Sequence, residues 1–338
     1  MSAVLVEAVR GGRVESLHRG SIAVVDASSR LLYLAGDPGL TFYARSCLKP
    51  VQALPVMMSG TADRLGLSGR EIAVCCASHN GEPFHTEAVK SMLAKGGLTP
   101  EQLGCGAHPP YREETYEEML RQGGQPAPIH NNCSGKHAGL LLTASMTGLD
   151  TATYLERNHP LQQEIVSYLS VMAGMEGEEF PWGVDGCGLP TYSLPLRKLA
   201  LVFARIADPS RLDPALAGAI SRLADAMVTH PEMIGGTDEF DTVLMQTGEG
   251  RIIGKAGAEG MYCIALRNEG IGIAIKVDDG NRRAAYPAAV EVIRQLGALP
   301  APQLETLERF RRPVIHNNKG DAVGELKPVF RLHPAGEP

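Results

Sequence analysis

Aromatic residues are sparse in this sequence, at 5% of 338 residues with a single Trp, and runs of basic residues are absent. Thirty-two Lys and Arg against 38 Asp and Glu leave a net charge of −6, with no stretch dense enough to track a phosphate backbone. Nucleic acid is therefore not an expected partner. No segment approaches 18 uninterrupted apolar residues, and Met1-Ser2-Ala3-Val4-Leu5-Val6-Glu7 is not a positive region followed by an apolar stretch. A soluble, unexported, cytoplasmic protein with no membrane partner is expected. The seven cysteines (Cys47, Cys75, Cys76, Cys105, Cys133, Cys187 and Cys263) are odd in number and lack framework spacing, which argues against a disulfide scaffold. In a reducing compartment such thiols are mostly small buried hydrophobes. What is present, 44% hydrophobic and 21% charged residues with 38 Gly and 23 Pro, is an ordinary globular composition. At roughly 100 to 200 residues per domain, the length allows two packed units or one elaborate α/β domain.

The first 35 residues read as an antiparallel meander, with strands at Val4-Leu5-Val6, 21–26 and 31–34 separated by Gly11-Gly12 and Ala27-Ser28-Ser29. From Pro50 to His230 the pattern turns helical, with helices expected at 47–59, 83–95, 133–147, 160–174, 195–207 and 214–229. Strand signals return at 242–245, 261–266 and 270–277, followed by a helix at 282–296. Pro300-Ala301-Pro302 reads as a short linker before a final strand pair, and 332–338 as a frayed tail. Strands at both ends with helices between predict an α/β (α+β) fold: one mixed sheet assembled from both termini, with a helical insert. The corresponding regions are 1–45 with 240–330 for the sheet and 46–239 for the helices, forming one catalytic unit.

Ser46 and Lys49 in Arg45-Ser46-Cys47-Leu48-Lys49-Pro50 stand at i, i+3, so on a helical turn a hydroxyl lies beside an amine. A serine becomes a nucleophile when a base takes its proton, and a lysine does this once burial or nearby positive charge lowers its pKa. Alone, Ser-x-x-Lys is a weak signal that reads first as a surface Lys with a helix-capping Ser. Two further elements follow in order: Ser78-His79-Asn80, of the form Ser-x-Asn, and Lys255-Ala256-Gly257 after the expected strand 251–254. That order, and the predicted topology, resemble β-lactamases and penicillin-binding proteins. The match departs at Ala256, where Thr or Ser would be expected, and in the short interval between Ser46 and Ser78.

A second constellation is His130-Asn131-Asn132-Cys133-Ser134-Gly135-Lys136-His137, running into the apolar Leu140-Leu141-Leu142. A helix opening here would favour a thiolate at Cys133, with Lys136 on the same face. Asp185-Gly186-Cys187-Gly188 is a glycine-rich turn that permits close backbone approach. Two thiolates can bind zinc, but a zinc site needs a third and usually a fourth ligand, and spacing alone leaves structural thiols as the simpler reading. Asp278-Asp279-Gly280-Asn281 lacks the remaining ligands of a calcium loop and reads as a strand-to-helix turn. The loop 235–241 reads as a surface loop or a substrate lid.

Taken together, Arg45-Ser46-Cys47-Leu48-Lys49-Pro50, Ala77-Ser78-His79-Asn80-Gly81-Glu82, Asn132-Cys133-Ser134-Gly135-Lys136-His137 and Asp185-Gly186-Cys187-Gly188 resemble the rhizobial-type (class 3, asparaginase II-like) L-asparaginases over residues 3 to 330. That family's fold is similar to serine β-lactamases and glutaminases. The resemblance implies hydrolysis of L-asparagine to L-aspartate and ammonia by two serine and lysine couples, Ser46 with Lys49 and Ser78 with Lys255. It also implies zinc held by Cys133, Lys136 and Cys187, the lysine ligating as neutral amine, and a homodimer. Ser46 is expected to attack with Lys49 as base, while Ser78 and Lys255 relay a proton to the departing ammonia. Arg45 and Asp185 supply opposite charges for the substrate's carboxylate and ammonium. His79 and Asn80 join them as candidate substrate contacts, although His79, like His137, reads equally as a packing residue. The competing readings are a β-lactamase-like serine esterase or peptidase and a noncatalytic amino-acid-binding protein.

Overall fold

The protein was analysed as a computed structural model that describes residues 1–175 and 180–336. The chain divides into a sheet unit, Met1–Cys47 with Ser193–Arg211 and Val243–Pro338, and a helical unit, Leu48–Tyr192 with Leu212–Thr242. Strands of the sheet unit come from both chain ends, in the order Val314–His316, Ala322–Pro328, Ala3–Arg10, Arg13–Asp26, Ile271–Val277, Met261–Leu266, Ile252–Ala256. The strand Leu31–Ala35 pairs with Arg13–Asp26, and His333–Pro334 pairs with Leu31–Ala35.

The sheet was expected to be mixed; every pairing among the described residues is antiparallel. Short turns explain this. Gly11 and Gly12, and Gly270 between Met261–Leu266 and Ile271–Val277, reverse the chain at once, whereas a parallel neighbour would need a crossover of a dozen or more residues. Met261–Leu266 is buried at every position, so its six residues form an apolar run without alternation. The helices Leu196–Ala207 and Arg282–Gln295 both pack against this strand and its neighbour Ile271–Val277. At Gly272 a Cβ would stand 1.9 Å from the Ala200 carbonyl oxygen and 2.1 Å from the Ala204 nitrogen, so the first of these helices rests on bare sheet backbone.

The segment Ser193–Arg211, which the sequence reading placed in the helical region, thus belongs to the sheet unit. Residues 242–245, read as a strand, lie in the helix Phe240–Gly248. Phe240 and Leu244, four apart and both buried, set the helical face there, and the three-residue apolar run Val243-Leu244-Met245 does not by itself choose between the two periods. The expected linker at 300–302 opens the helix Ala301–Thr306, with its proline in the first turn. The tail is tied down rather than frayed: Leu332 N–H donates to the Gln295 side chain and Ala335 N–H to the Leu32 carbonyl. Its last two residues, 337–338, lie outside the described residues.

In the helical unit, Ser134–Thr147 is buried at every residue from Ser134 to Ala144, and Leu54–Met58 and Pro83–Lys95 pack against it. The helix expected over 47–59 is broken into a 3₁₀ turn, Arg45–Leu48, and two short helices, Lys49–Gln52 and Leu54–Met58. Pro55 has no N–H to continue the first helix, and Ala53 ends one helix while beginning the next. Ser68 and Glu71 close a reciprocal capping box on Gly69–Val74, which leads into the Ser78 turn. Trp182–Val184 pairs with Pro190–Tyr192 as a hairpin whose loop carries Asp185 and Cys187.

Candidate active site

Lys49 opens the helix Lys49–Gln52 and is fully buried, so its side chain must find polar partners inside the unit. It reaches three. The Nζ donates to the Ala77 carbonyl, lies 2.9 Å from Ser78 Oγ and 3.2 Å from the Asn132 carbonyl oxygen. Ser78 is held from behind, its N–H donating to the Ile234 carbonyl at 2.9 Å, while its side of the turn is half-exposed. In its neutral form a lysine amine carries one lone pair that can take the proton of a hydroxyl at this distance. This arrangement suits proton transfer from Ser78 to Lys49. The sequence reading paired Lys49 with Ser46 and Ser78 with Lys255; the Lys49 amine also stands within hydrogen-bond reach of Ser78.

His79 and Asn80 complete the turn. His79 is fully buried, and Gly81 N–H donates to its Nδ1 at 3.2 Å, so Nε2 carries the proton and donates to Ser134 Oγ at 2.9 Å. Its ring stacks on His85 with centroids 4.7 Å apart. Burial pushes both imidazoles down, His85 to about 4 and His79 well below its ordinary value. Both nitrogens of His79 are thus engaged by protein, and the residue ties the Ser78 turn to the helix Ser134–Thr147 instead of facing a ligand. Asn80 N–H donates to the Gly235 carbonyl and Arg112 N–H to the Asn80 carbonyl, fixing the backbone on either side. The loop 235–241 packs directly onto this turn: a Cβ on Gly236 would lie 2.2 Å from Asn80 Nδ2. From outside, Glu82 accepts from Thr237 N–H and Arg112 donates to the Thr237 carbonyl.

Cys133, Lys136 and Cys187 converge in the same unit. Cys133 precedes the helix Ser134–Thr147, its N–H donating to Asn131 Oδ1, and Lys136 Nζ lies 3.2 Å from Cys187 Sγ. All three are nearly fully buried. A hydrogen bond from Cys187, outweighing burial, holds the Cys133 thiol well below its usual range, and the Lys136 charge acts in the same sense. Burial alone would lower Lys136; the thiolates and the Asp185 carboxylate outweigh it and push the ammonium up. The hydrogen bond that favours the Cys133 thiolate raises Cys187. Asp185 starts the tight turn that presents Cys187, with Gly188 N–H bonded to its carbonyl and Gly186 N–H to its carboxylate. Tyr154 accepts from Gly104 N–H and its hydroxyl lies 2.7 Å from His137 Nδ1, which places His137 as a buried packing residue of this cluster.

The donor chemistry, two sulfurs and one amine, fits a zinc ion, and the 3.2 Å between Lys136 Nζ and Cys187 Sγ is near the edge of a ligand tetrahedron, roughly 3.5 Å for bonds of roughly 2.0–2.3 Å. Among the described residues no group of three His, Cys, Asp or Glu side chains could hold a metal, so Lys136 is indispensable to that set.

In the sheet unit, Ser46 is half-exposed on the 3₁₀ turn Arg45–Leu48, whose first residue has a left-handed backbone with φ of 51°. The neighbouring Cys47 Sγ contacts the Lys255 carbonyl at 3.3 Å, which sets the Ser46 turn against the strand Ile252–Ala256. Lys255 lies within that strand, paired with Cys263, is fully buried, and donates from Nζ to the Ala256 carbonyl at 2.9 Å. Sequence reasoning missed the carbonyls of Ala77 and Asn132, and Ser134. Backbone acceptors carry no sequence signal, whereas Ser134, beside Cys133, was there to be weighed.

A family model described as L-asparaginase II matches residues 6–328. No curated protein matches the chain. Among solved structures, a β-lactamase from Mycobacterium bovis is 14% identical, covering 83% of this chain and 95% of that one at a TM-score of 0.43. A putative β-lactamase from Bacteroides dorei is 17% identical, covering 76% of this chain and 84% of that one at 0.41. Mglu in its native form in 4.3 M NaCl is 17% identical, covering 82% of this chain and 60% of that one at 0.44. Among the described residues no helix is long and apolar enough to cross a membrane.

Proposed function

The chain belongs to the L-asparaginase II family, an amidohydrolase family, and from that premise we propose that it hydrolyses L-asparagine to L-aspartate and ammonia through serine and lysine groups. The observation that carries this reading is the buried Lys49 amine 2.9 Å from the half-exposed Ser78 hydroxyl. On this reading neutral Lys49 takes the proton as Ser78 Oγ attacks the side-chain amide carbon. A tetrahedral adduct forms, and the proton returned to nitrogen lets ammonia leave. Water then hydrolyses the resulting acyl-serine with the same amine as base. Ser46 and Lys255 are the candidates for the second hydroxyl and amine, and Arg45 supplies a cation for the substrate carboxylate.

Zinc, where bound, would be held by Cys133, Lys136 and Cys187 and would supply Lewis-acid polarisation of an oxygen. Bonded to the metal, Lys136 would be neutral. The Asn132 carbonyl, adjacent to Cys133 in the chain, also accepts from Lys49, so the cluster and the Ser78 couple share a wall of the helical unit.

Ammonia release from L-asparagine tests the assignment. Removing the activated hydroxyl or its base is expected to cost at least about a hundredfold in kcat. Ser78→Ala and Lys49→Met should both show that loss while Ser78→Ala keeps the wild-type melting temperature. A Ser78→Ala enzyme with wild-type turnover would overturn the assignment and leave Ser46 as the nucleophile.

A further inference from the structure

The sheet unit carries its own cavity of about 270 Å³. One wall is the strand Thr41–Tyr43, held antiparallel to Ser193–Pro195. Lys276 reaches it from the strand Ile271–Val277, its ammonium 5.6 Å from the Phe42 ring centroid. Two of the three ammonium N–H groups donate to the carbonyls of Glu259 and Val277, at 2.5 and 2.7 Å, which leaves one for a further acceptor. Burial lowers the pKa of Lys276, against the opposing influence of Asp278, Glu259 and Asp279, and an anion in the cavity would offset that same desolvation.

The other charged lining residues are Arg45 and Glu259. Both have left-handed backbones, with φ of 51° and 59°, at which glycine would be less strained. Two strained non-glycine residues of opposite charge therefore line one small cavity together with a lysine. The volume suits a small molecule, and the charges suit one that carries an anion and a cation close together.

We propose that this cavity binds the zwitterionic end of an α-amino acid, its carboxylate on Lys276 and Arg45 and its ammonium on Glu259. The assignment rests on the amidohydrolase reading and deepens it. Glu259 thereby replaces Asp185 as the partner of the ammonium, because Glu259 and Arg45 line one cavity.

The probes are L-aspartate and succinate, which is aspartate without its ammonium, titrated calorimetrically into the wild type, Lys276→Met and Glu259→Gln. Loss of a charge-assisted contact is expected to weaken binding at least about tenfold. Lys276→Met should weaken both ligands, and Glu259→Gln should weaken aspartate while leaving succinate unchanged or tighter. Glu259 is exposed, so its variant should fold and decides the matter if Lys276→Met does not. Equal responses of the two ligands to Glu259→Gln, wild-type aspartate affinity in both variants, or no aspartate binding by the wild type would each overturn the proposal. The expected pattern in a protein that releases no ammonia from asparagine would sustain the cavity assignment and refute the asparaginase reading.

Discussion

Gly236→Ala isolates the geometric requirement of the Ser78 turn. Gly236 has φ of 122°, a conformation that alanine adopts at a cost of about 1–3 kcal/mol. The added Cβ would lie 2.2–2.3 Å from all three polar-end atoms of the Asn80 amide. Restoring ordinary contact demands a shift of roughly 1 Å, since unstrained heavy atoms sit at about 3.5 Å or more. Neither side can yield freely: Asn80 is tied through its own N–H to Gly235 and through its carbonyl to Arg112, and Thr237 is pinned by Glu82 and Arg112. Strain and overpacking together should lower stability by about 2–4 kcal/mol. A displacement of about 1 Å transmitted to Ser78 should lower kcat by up to about a hundredfold. Gly123→Ala is the control, because Gly123 shares a positive φ of 73° but a Cβ there would meet nothing within 4 Å. Urea unfolding and asparagine turnover of the two variants therefore separate strain from overlap. Identical losses in Gly236→Ala and Gly123→Ala would show that the loop yields, and the positioning argument would fail.

The sequence disclosed the architecture better than its joints. Helices with a proline in the first turn, such as Pro83–Lys95, Pro160–Ala173 and Pro214–Thr229, were legible to within a residue because a missing N–H marks the start and the apolar face marks the length. Phe240–Gly248 was not, since three consecutive apolar residues satisfy either period and only the burial of Phe240 with Leu244 distinguishes them. The donors of the site were legible as residue types: Lys49, Ser78, Cys133, Lys136 and Cys187 all stood out, and the structure gathers them in the helical unit. The approach of Lys49 to Ser78, 29 residues away in the chain, was not legible. An i, i+3 spacing on a continuous helix suggested Ser46 for Lys49; Arg45–Leu48 is in fact a 3₁₀ turn and the helix begins at the lysine itself. The carbonyls of Ala77 and Asn132 that hold the amine belong to backbone geometry, which emerges only from the fold. The same holds for Glu259 and Lys276: they lie 17 residues apart, and strand pairing brings them together.

Two further expectations concern the metal cluster and the buried histidines. Protein purified without chelators should carry about one zinc per chain by plasma emission spectrometry, and Cys187→Ser should lose it; a metal-free wild type in zinc-supplemented buffer would refute the ligand set. The second expectation is a loss of stability in mild acid. His85 is held neutral down to about 4, against 6.5 for the ordinary side chain, with burial as the largest cause. Above pH 6.5 both folded and unfolded states carry it uncharged, and no stability depends on it. As the pH falls from 6.5 to 4 the unfolded state takes up a proton that the folded state refuses, so stability is lost through that window, by about 3 kcal/mol for this group. His79, depressed in the same direction, adds to the loss. His85→Phe keeps the ring against His79 and forfeits the 3.0 Å contact with the Glu232 carbonyl, so it should be about 1 kcal/mol less stable at pH 7. Its stability should nevertheless fall less steeply between pH 6.5 and 4.5 than that of the wild type. Carboxylates with lowered values, such as Glu71 and Glu82, lose their contribution as the pH falls below about 4.5, outside most of that window. Parallel curves for the two proteins would therefore mean that His85 is charged in the folded state, and that its burial is not what suppresses protonation.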